Sequence, residues 1–224
     1  MTTIAVATGR DAVSDGRLFL REFIRDPART GAFAPSSRHL AAAMIQPIPR
    51  QGDPVVVELG PGTGSFTQHI EDRLTGRGQQ IAVEVNPTLA ARLAARHPSV
   101  DVLTADAARL PEILAHRGVS QVDVVVCGLP WAAFKPATQA AILMAVNTVL
   151  TPEGAFTTFG YGMWRWTPAA RRMRNLLGEA FDELVISRTV TRNIPPAFVY
   201  YARRPKRPVQ HDHATAVMGA SVGT

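Results

Sequence analysis

Residues 58–64, ELGPGTG, form the segment of this chain whose composition and spacing best suit ligand binding. Glycines at 60, 62 and 64 let the backbone turn sharply and approach a ligand closely, and Glu58 adds a carboxylate. A dinucleotide fingerprint, G-x-G-x-x-G, would need glycine where Ser65 stands, and the phosphate-binding pattern G-x-x-x-x-G-K-[ST] does not occur. The segment therefore favours a nucleotide-type loop and disfavours a pyrophosphate or ATP cradle.

Three further apolar runs end in residues that suit a nucleoside. Glu84 ends IAVEV, 20 residues after Gly64, where a carboxylate can accept hydrogen bonds from both ribose hydroxyls. Asp106 follows VDVLTA, and residues 128–131, GLPW, follow VDVVVC. Each feature alone also fits a plain turn or a solvated strand end. Their order favours a ligand site, because ligands of doubly wound sheets bind beyond the carboxyl ends of the strands.

The elements that position these residues alternate between two periodicities. Five apolar runs of strand length are separated by helical patterns, which predicts a parallel sheet covered on both faces. Two later runs, ELVISRTVTRN and AFVYYARRP, predict strands that pair at the sheet edge. Before the first strand, Ser36 or Ser37 is a suitable N-cap for a helix over residues 37–45.

The chain divides into three parts by pattern. Residues 1–45 are interpreted as an arm and helices that cap the site, residues 46–207 as the ligand-binding core, and residues 208–224 as a flexible tail. Within the first part, residues 17–25 predict a helix with an apolar face beside three arginines. This helix suits contact with an anionic membrane surface, and it equally suits a cap over the ligand.

Charge and hydropathy limit the classes of function. The 24 Lys and Arg exceed the 18 Asp and Glu, giving +6, which suits nucleic acid, an anionic lipid or an acidic small substrate, or serves solubility alone. No apolar run reaches the roughly 18 to 20 residues of a spanning helix, and the N-terminus lacks the pattern of a signal peptide. We expect a cytoplasmic protein.

Cysteine and histidine give no metal site. Cys127 is the only cysteine, so no intramolecular disulfide and no cysteine-based zinc site forms within one chain, and its apolar strand predicts a core residue. The histidines at 39, 69, 97 and 116 lack metal-ligand spacing. We expect no bound metal.

The pattern E-x-G-x-G-x-G at residues 58–64 resembles motif I of the class I methyltransferases. The segments FLREFIRDPARTGAFAPSSRHLAAAM, GLPW and RNIPPAFVY further resemble bacterial phospholipid N-methyltransferases, relatives of the ribosomal RNA adenine dimethyltransferases, over roughly residues 17–203. The resemblance implies a Rossmann-like α/β methyltransferase fold with a mostly parallel seven-stranded sheet, helices on both faces and an antiparallel edge strand.

The resemblance also implies S-adenosylmethionine as cofactor, leaving as S-adenosylhomocysteine. Motif I would surround its amino-acid part, Glu84 would hold the ribose, Asp106 would face adenine, and the fourth strand end would lie beside the methyl group. The implied cofactor-binding residues are Glu58, Leu59, Gly60, Pro61, Gly62, Gly64, Glu84, Val85, Asp106, Ala107, Gly128, Leu129 and Pro130.

The methyl acceptor implied by the resemblance is the amine of an ethanolamine phospholipid. The adenine dimethyltransferases carry Asn or Asp where this chain has Gly128, which disfavours adenine chemistry and removes an obvious base. An unprotonated amine mainly needs positioning, which we assign to Trp131 and Tyr161, although core packing explains each ring as well. The expected substrate-binding residues are Phe33, Ser36, Phe134 and Arg165.

Other acceptors and another class stay open. The same core would serve a methyltransferase acting on RNA or on a small natural product, or a non-catalytic lipid- or RNA-binding protein. For the lipid interpretation, we expect a peripheral position on the inner membrane face, with phosphate contacts from Arg165, Arg171, Arg172 and Arg174.

Overall fold

The computed structural model of this chain describes residues 36–206. The predicted helix over residues 17–25, the expected substrate-binding Phe33 and the predicted tail over residues 208–224 lie outside the described residues. Strands and helices alternate along most of the described chain.

Seven strands and six α-helices make up the described fold. The strands are β1 (Val55–Leu59), β2 (Gln79–Glu84), β3 (Asp101–Thr104), β4 (Val122–Cys127), β5 (Leu150–Tyr161), β6 (Phe181–Ile186) and β7 (Ala197–Pro205). The α-helices are α1 (Arg38–Met44), α2 (Thr67–Leu74), α3 (Pro87–Arg96), α4 (Leu110–Ala115), α5 (Pro136–Val149) and α6 (Pro168–Ala180). Short 3₁₀ turns cover Ala107–Arg109, Trp131–Ala133 and Gly162–Trp164.

The strands form one sheet in the order β3-β2-β1-β4-β5-β7-β6. Strands β1 to β5 pair in parallel, whereas β7 runs antiparallel to both β5 and β6. The predicted mostly parallel, seven-stranded sheet with an antiparallel edge is confirmed, and the reversed strand β7 lies one position in from that edge. The strand order reverses between β1 and β4, which is where such sheets form a ligand crevice.

Apolar layers cover both faces of the sheet because successive strand residues point to opposite sides. Val57 and Val125 face a layer that contains the buried residues of α4, α5 and α6. Val56 and Val124 face the opposite layer, with the buried residues of α1 and α2. Helices therefore cover both faces, as predicted.

Of two local predictions, the N-cap of the first helix is confirmed and the length of one strand is wrong. Ser37 is the N-cap of α1, and its Oγ accepts a hydrogen bond from the Leu40 backbone N–H at 3.2 Å. The predicted strand up to Asn193 is wrong beyond Ile186, because residues 187–196 form a loop instead. Polar residues and the pair Pro195 and Pro196 interrupt the apolar pattern there.

Candidate active site

Backbone hydrogen bonds hold four strand ends side by side at one edge of the sheet. The Gly60 N–H donates to the Val83 carbonyl at 2.9 Å, and the Ala105 N–H donates to the Glu84 carbonyl at 3.1 Å. The Gly128 N–H donates to the Leu59 carbonyl at 2.8 Å. The segments singled out from sequence at the ends of β1, β2, β3 and β4 are thus brought together at the strand-order reversal.

The loop after β1 requires glycine at two points for different reasons. Gly60 has φ +66°, and a Cβ there would lie 2.5 Å from Leu129 Cδ2. Gly64 has φ +88°, and a Cβ there would lie 2.9 Å from Leu93 Cδ1. Positive φ strains residues with a Cβ, so the loop keeps its backbone close against the β4 end only with glycine.

Glu58 is a fully buried carboxyl at the end of β1. Its Oε2 accepts a hydrogen bond from the Thr67 hydroxyl at 2.8 Å, whereas Oε1 has no partner among the described residues. Burial raises the pKa of Glu58 to about 8, against a partial lowering by the Thr67 hydrogen bond. An acid in this setting gains its charge most readily when a cationic ligand arrives.

Glu84 lies under the glycine loop and ties it to the next helix. Its Oε2 accepts from the Gly62 N–H at 3.1 Å and its Oε1 from the Asn86 N–H at 2.9 Å. Burial raises its pKa, and these backbone hydrogen bonds partly oppose the rise. Each carboxylate oxygen has a second lone pair, so the group retains capacity for hydroxyl donors.

The third strand end supplies a capped acid. Asp106 is half-buried, and its Oδ1 accepts a hydrogen bond from the Ala108 N–H at 3.0 Å, which starts a 3₁₀ turn. Ala107 beside it is buried, and Val85 after β2 is half-buried. The other oxygen, Oδ2, accepts no hydrogen bond from the described residues.

An apolar cavity of about 140 Å³ opens at the fourth strand end. Its walls come from the β4 end, the end of β5, the start of α6 and two rings of β7, and no charged side chain lines it among the described residues. The lining residues are Gly128, Leu129, Pro130, Trp131, Ala133, Gln139, Phe159, Gly160, Tyr161, Trp164, Thr167, Ala169, Ala170, Met173, Phe198 and Tyr200.

Trp131 and Tyr161, the predicted positioning residues, both line this cavity. The phenol of Tyr161 is half-buried and packs edge-on against Phe159 and Trp164, with ring centroids 5.6 and 5.5 Å away. Burial raises the pKa of Tyr161, so its hydroxyl stays neutral at physiological pH. The Gln139 amide donates to the Trp131 carbonyl at 2.6 Å and fixes the turn that carries this tryptophan.

The expected substrate-binding residues are not all near the cavity. Phe134 does not line it and instead packs in the core beside Trp131, with ring centroids 6.5 Å apart. Ser36 also lies outside the lining, in the segment that precedes α1. Arg165 is absent from the lining, but its guanidinium lies 5.1 Å from the ring of Phe198, which does line the cavity.

The sequence did not predict several of the cavity-lining residues, because they come from β7 and from the β5–α6 connection. Phe198 and Tyr200 alternate along AFVYYARRP, and this alternation is the signal that would have found them. Gly160 pairs with Phe198 across the two strands, and a Cβ on Gly160 would lie 2.9 Å from Phe198 Cζ. The missing side chain makes room for the ring in the cavity wall.

Cys127 is a buried core residue, as the apolar strand that carries it predicts. Cys127 is fully buried at the end of β4, and burial raises the pKa of its thiol to about 12, so it stays protonated. Over residues 36–206, no three His, Cys, Asp or Glu side chains gather closely enough to hold a metal ion. Within the same residues, no helix is long and apolar enough to cross a membrane.

Comparison with known proteins identifies the family. Residues 56–154 match the family model described as "Methyltransferase domain". The chain is 34% identical over 194 residues to an ornithine lipid N-methyltransferase from Singulisphaera acidiphila, covering 85% of this chain and 97% of that protein. A shorter match, 37% identical over 82 residues, reaches 34% of this chain and 28% of ribosomal RNA small subunit methyltransferase A from Koribacter versatilis.

Solved structures show the same fold. A didemethyltoxoflavin N1-methyltransferase from Burkholderia thailandensis, solved with S-adenosylhomocysteine, superposes with a TM-score of 0.64 at 16% identity, covering 92% of this chain and 94% of that one. With the nearly full-length relative, this likeness agrees with the glycine loop and acids at the strand ends. The chain belongs to the class I S-adenosylmethionine-dependent N-methyltransferases and resembles the lipid N-methyltransferases.

Proposed function

We propose that this N-methyltransferase methylates the primary amine of a membrane aminolipid, such as an ethanolamine phospholipid or an ornithine lipid. The observation that carries the proposal is the uncharged, aromatic cavity at the β4 end. A cavity of this kind suits the apolar part of a lipid and an amine that has lost its charge. The long match to an ornithine lipid N-methyltransferase supports the same class of acceptor.

The geometry of the described residues supports S-adenosylmethionine binding in the roles that the resemblance implies. The backbone at Gly60 packs against Leu129 with no room for a Cβ, whereas a Cβ on Gly62 would meet nothing within 4 Å, and Glu58 has an unpartnered buried oxygen that a cationic ligand would satisfy. We assign Glu84 to the ribose, Asp106 with Val85 and Ala107 to adenine, and residues 128–130 to the side of the methyl group. When bound, the cofactor supplies a methyl group activated by its sulfonium charge.

The chain itself prepares the acceptor amine by desolvation and orientation. A primary ammonium loses hydration when it enters an apolar cavity, which lowers its pKa and favours the neutral, nucleophilic form. No Asp, Glu or His among the described residues lines the cavity, so we expect no side-chain base there. The proton leaves to water before the amine is enclosed.

The aromatic rings then stabilise the positive charge that develops on the acceptor amine during transfer and that the methylated product carries. Trp131, Phe159 and Tyr161 present ring faces or edges to the cavity, and a spread positive charge near such faces gains about 0.5 to 2 kcal/mol. Because this gain grows as the amine becomes charged, it lowers the barrier instead of merely binding substrate.

Gly128 separates this proposal from adenine methylation. The sequence comparison with adenine dimethyltransferases expects an amide or carboxyl side chain there, and a Cβ at Gly128 would lie 2.8 Å from the Gly60 carbonyl oxygen. The close approach of the glycine loop therefore leaves no space for a side chain that would hold an exocyclic amine. The following experiment distinguishes ethanolamine from ornithine headgroups.

The test incubates the purified full chain with methyl-labelled S-adenosylmethionine and vesicles that contain either phosphatidylethanolamine or ornithine lipid, followed by extraction and chromatography. We expect label in a methylated lipid in one arm or both. Label in neither lipid, with S-adenosylhomocysteine binding retained, would overturn the proposal.

Tyr161→Phe is the informative variant in this assay, because it removes the hydroxyl of a cavity-lining residue that we assign to positioning the acceptor. We expect it to lower kcat by about tenfold with the cofactor affinity unchanged, as loss of a positioning contact does. Tyr201→Phe is the matched control, since that hydroxyl donates to the Ala43 carbonyl at 2.9 Å and lies outside the cavity. The control should keep the wild-type kcat.

A further inference from the structure

Four large apolar side chains stand exposed on two adjoining loops, one of which contributes Trp164 to the cavity wall. Met163 is 65% exposed, Trp166 76% and Ile194 78%, and Trp164 is 40% exposed while also lining the cavity. We call these four residues the apolar rim. Large apolar side chains gathered beside a binding cavity indicate an interaction surface, because a monomer gains nothing from leaving them in water.

The two loops that carry the apolar rim are joined to each other and to the cavity. The Gly162 N–H donates to the Pro196 carbonyl at 2.7 Å, which fixes the β5–α6 connection beside the loop of Ile194. The guanidinium of Arg165 lies 5.8 Å from the Trp166 ring and 5.1 Å from the ring of Phe198 in the cavity wall. The Arg165 guanidinium therefore links the exposed ring of Trp166 to the ring of Phe198 in the cavity wall.

These two loops, together with helix α6, are strongly cationic. Residues 160–180 and 187–196 contain six arginines and one acidic residue, Glu179. The arginines are Arg165, Arg171, Arg172, Arg174, Arg188 and Arg192. Because guanidinium groups bind phosphate oxygens with two parallel hydrogen bonds, this charge complements a surface of anionic headgroups.

We propose that the apolar rim inserts into the interfacial layer of an anionic lipid bilayer, with the six arginines on the surrounding phosphates. Tryptophan favours this layer because its ring is apolar and its N–H is polar, and nearby cations add attraction to anionic lipid. The inference rests on the proposed function, since a rim seated in the bilayer delivers a headgroup amine to the cavity without extracting the lipid.

The test measures sedimentation of the full chain with vesicles of phosphatidylcholine alone and of phosphatidylcholine mixed with phosphatidylglycerol. The double variant Met163→Ser/Trp166→Ser should bind the mixed vesicles about tenfold more weakly than wild type. Met144→Ser is the matched control, because Met144 is 70% exposed on α5, away from the rim. The control should bind as wild type does.

Arg171→Gln/Arg172→Gln tests the charged part of the surface. Both arginines are exposed, so the variant should fold normally and lose most of the preference for mixed vesicles over pure phosphatidylcholine. An unchanged preference would overturn the assignment of these arginines to the bilayer.

Measurements of folding and of methyl transfer without a bilayer distinguish failure of this inference from failure of the proposed function. S-adenosylhomocysteine affinity and thermal midpoint show that each variant is folded, and methyl transfer to a detergent-dispersed aminolipid reports the reaction without a bilayer. Rim variants that keep this transfer but lose vesicle binding support the inference, and absence of transfer in wild type overturns only the proposed function. If the rim variant binds vesicles as tightly as wild type, the inference is overturned. It is also overturned if ultracentrifugation shows that wild type self-associates and that the rim variant loses this self-association while its vesicle binding stays unchanged.

Discussion

At the scale of single residues, the site depends on acids that are buried before any ligand arrives. Glu58 is fully buried with one hydrogen bond, to Thr67, and Glu84 is held by two backbone N–H groups. Burial of a carboxylate without a cation opposes its charge and raises its pKa. The cofactor-free protein therefore keeps a proton on Glu58 near neutral pH, and we expect it to release this proton on binding a cationic ligand.

This arrangement predicts that Glu58→Gln removes part of the pH dependence of stability. The pKa of Glu58 is about 8 in the folded protein and 4.5 in its ordinary state, so the folded form binds more protons between these values. Stability is thus fully present below pH 4.5 and is lost as pH rises towards 8. The variant should show a smaller fall of Tm over this range in the absence of cofactor.

Glu112→Gln is the control for this experiment, because its side chain is 61% exposed and paired with Arg109 on the surface. We expect the control to lose as much Tm as wild type over the same range. A Glu58→Gln profile as steep as that of wild type would show that burial of Glu58 does not govern the effect. Glu84 should leave a residual slope in both variants.

At the scale of elements, one buried asparagine joins the start of α1 to the loop between β6 and β7. Asn193 is 3% exposed, its Oδ1 accepts from the Ser37 N–H at 2.8 Å, and its Nδ2 donates to the Pro195 carbonyl at 2.7 Å. Two segments whose sequences resemble phospholipid N-methyltransferases thus meet beside the loop that carries Ile194. The division of the chain at residue 45 stays a prediction.

We expect Asn193→Ala to lower the free energy of unfolding by about 1 to 3 kcal/mol, because it leaves the half-buried Ser37 N–H and the buried Pro195 carbonyl without partners. Urea denaturation with an unchanged m-value would measure the loss. Asn175→Ala, on the exposed face of α6, should change stability much less. Equal losses in the two variants would contradict a specific role for the Asn193 bridge.

At the scale of the whole molecule, the cofactor crevice links elements from most of the described chain. Ends of β1, β2, β3 and β4 meet there, and the glycine loop rests on Leu129 and Leu93 from other segments. A ligand that binds only this assembled arrangement stabilises the entire fold by mass action.

S-adenosylhomocysteine at 100 times its Kd should therefore add about 2.7 kcal/mol of stability, or roughly 5 to 11 °C in Tm for a protein of this size. Gly64→Ala should shrink this shift at the same concentration, because Gly64 has φ +88° and a Cβ there meets Leu93. Gly178→Ala, where a Cβ meets nothing within 4 Å, should keep the full shift. A full shift in Gly64→Ala would show that the loop tolerates a Cβ.

The sequence alone determined the alternation of strands and helices, the parallel core of the sheet and the place of the glycine loop. These features follow from side-chain periodicity and from turn chemistry, both of which act between residues close in the chain. It also predicted that Trp131 and Tyr161 lie near one pocket, and both line the cavity.

Only the tertiary structure decided which rings complete the cavity, because the pairing register of β5 with β7 joins residues far apart in sequence. That register sets Gly160 opposite Phe198 and brings Tyr200 into the wall. The hydrogen bond between Gly162 and Pro196 likewise joins the loop of Met163 and Trp166 to the loop of Ile194. Such contacts depend on how packed surfaces match, which no local pattern specifies.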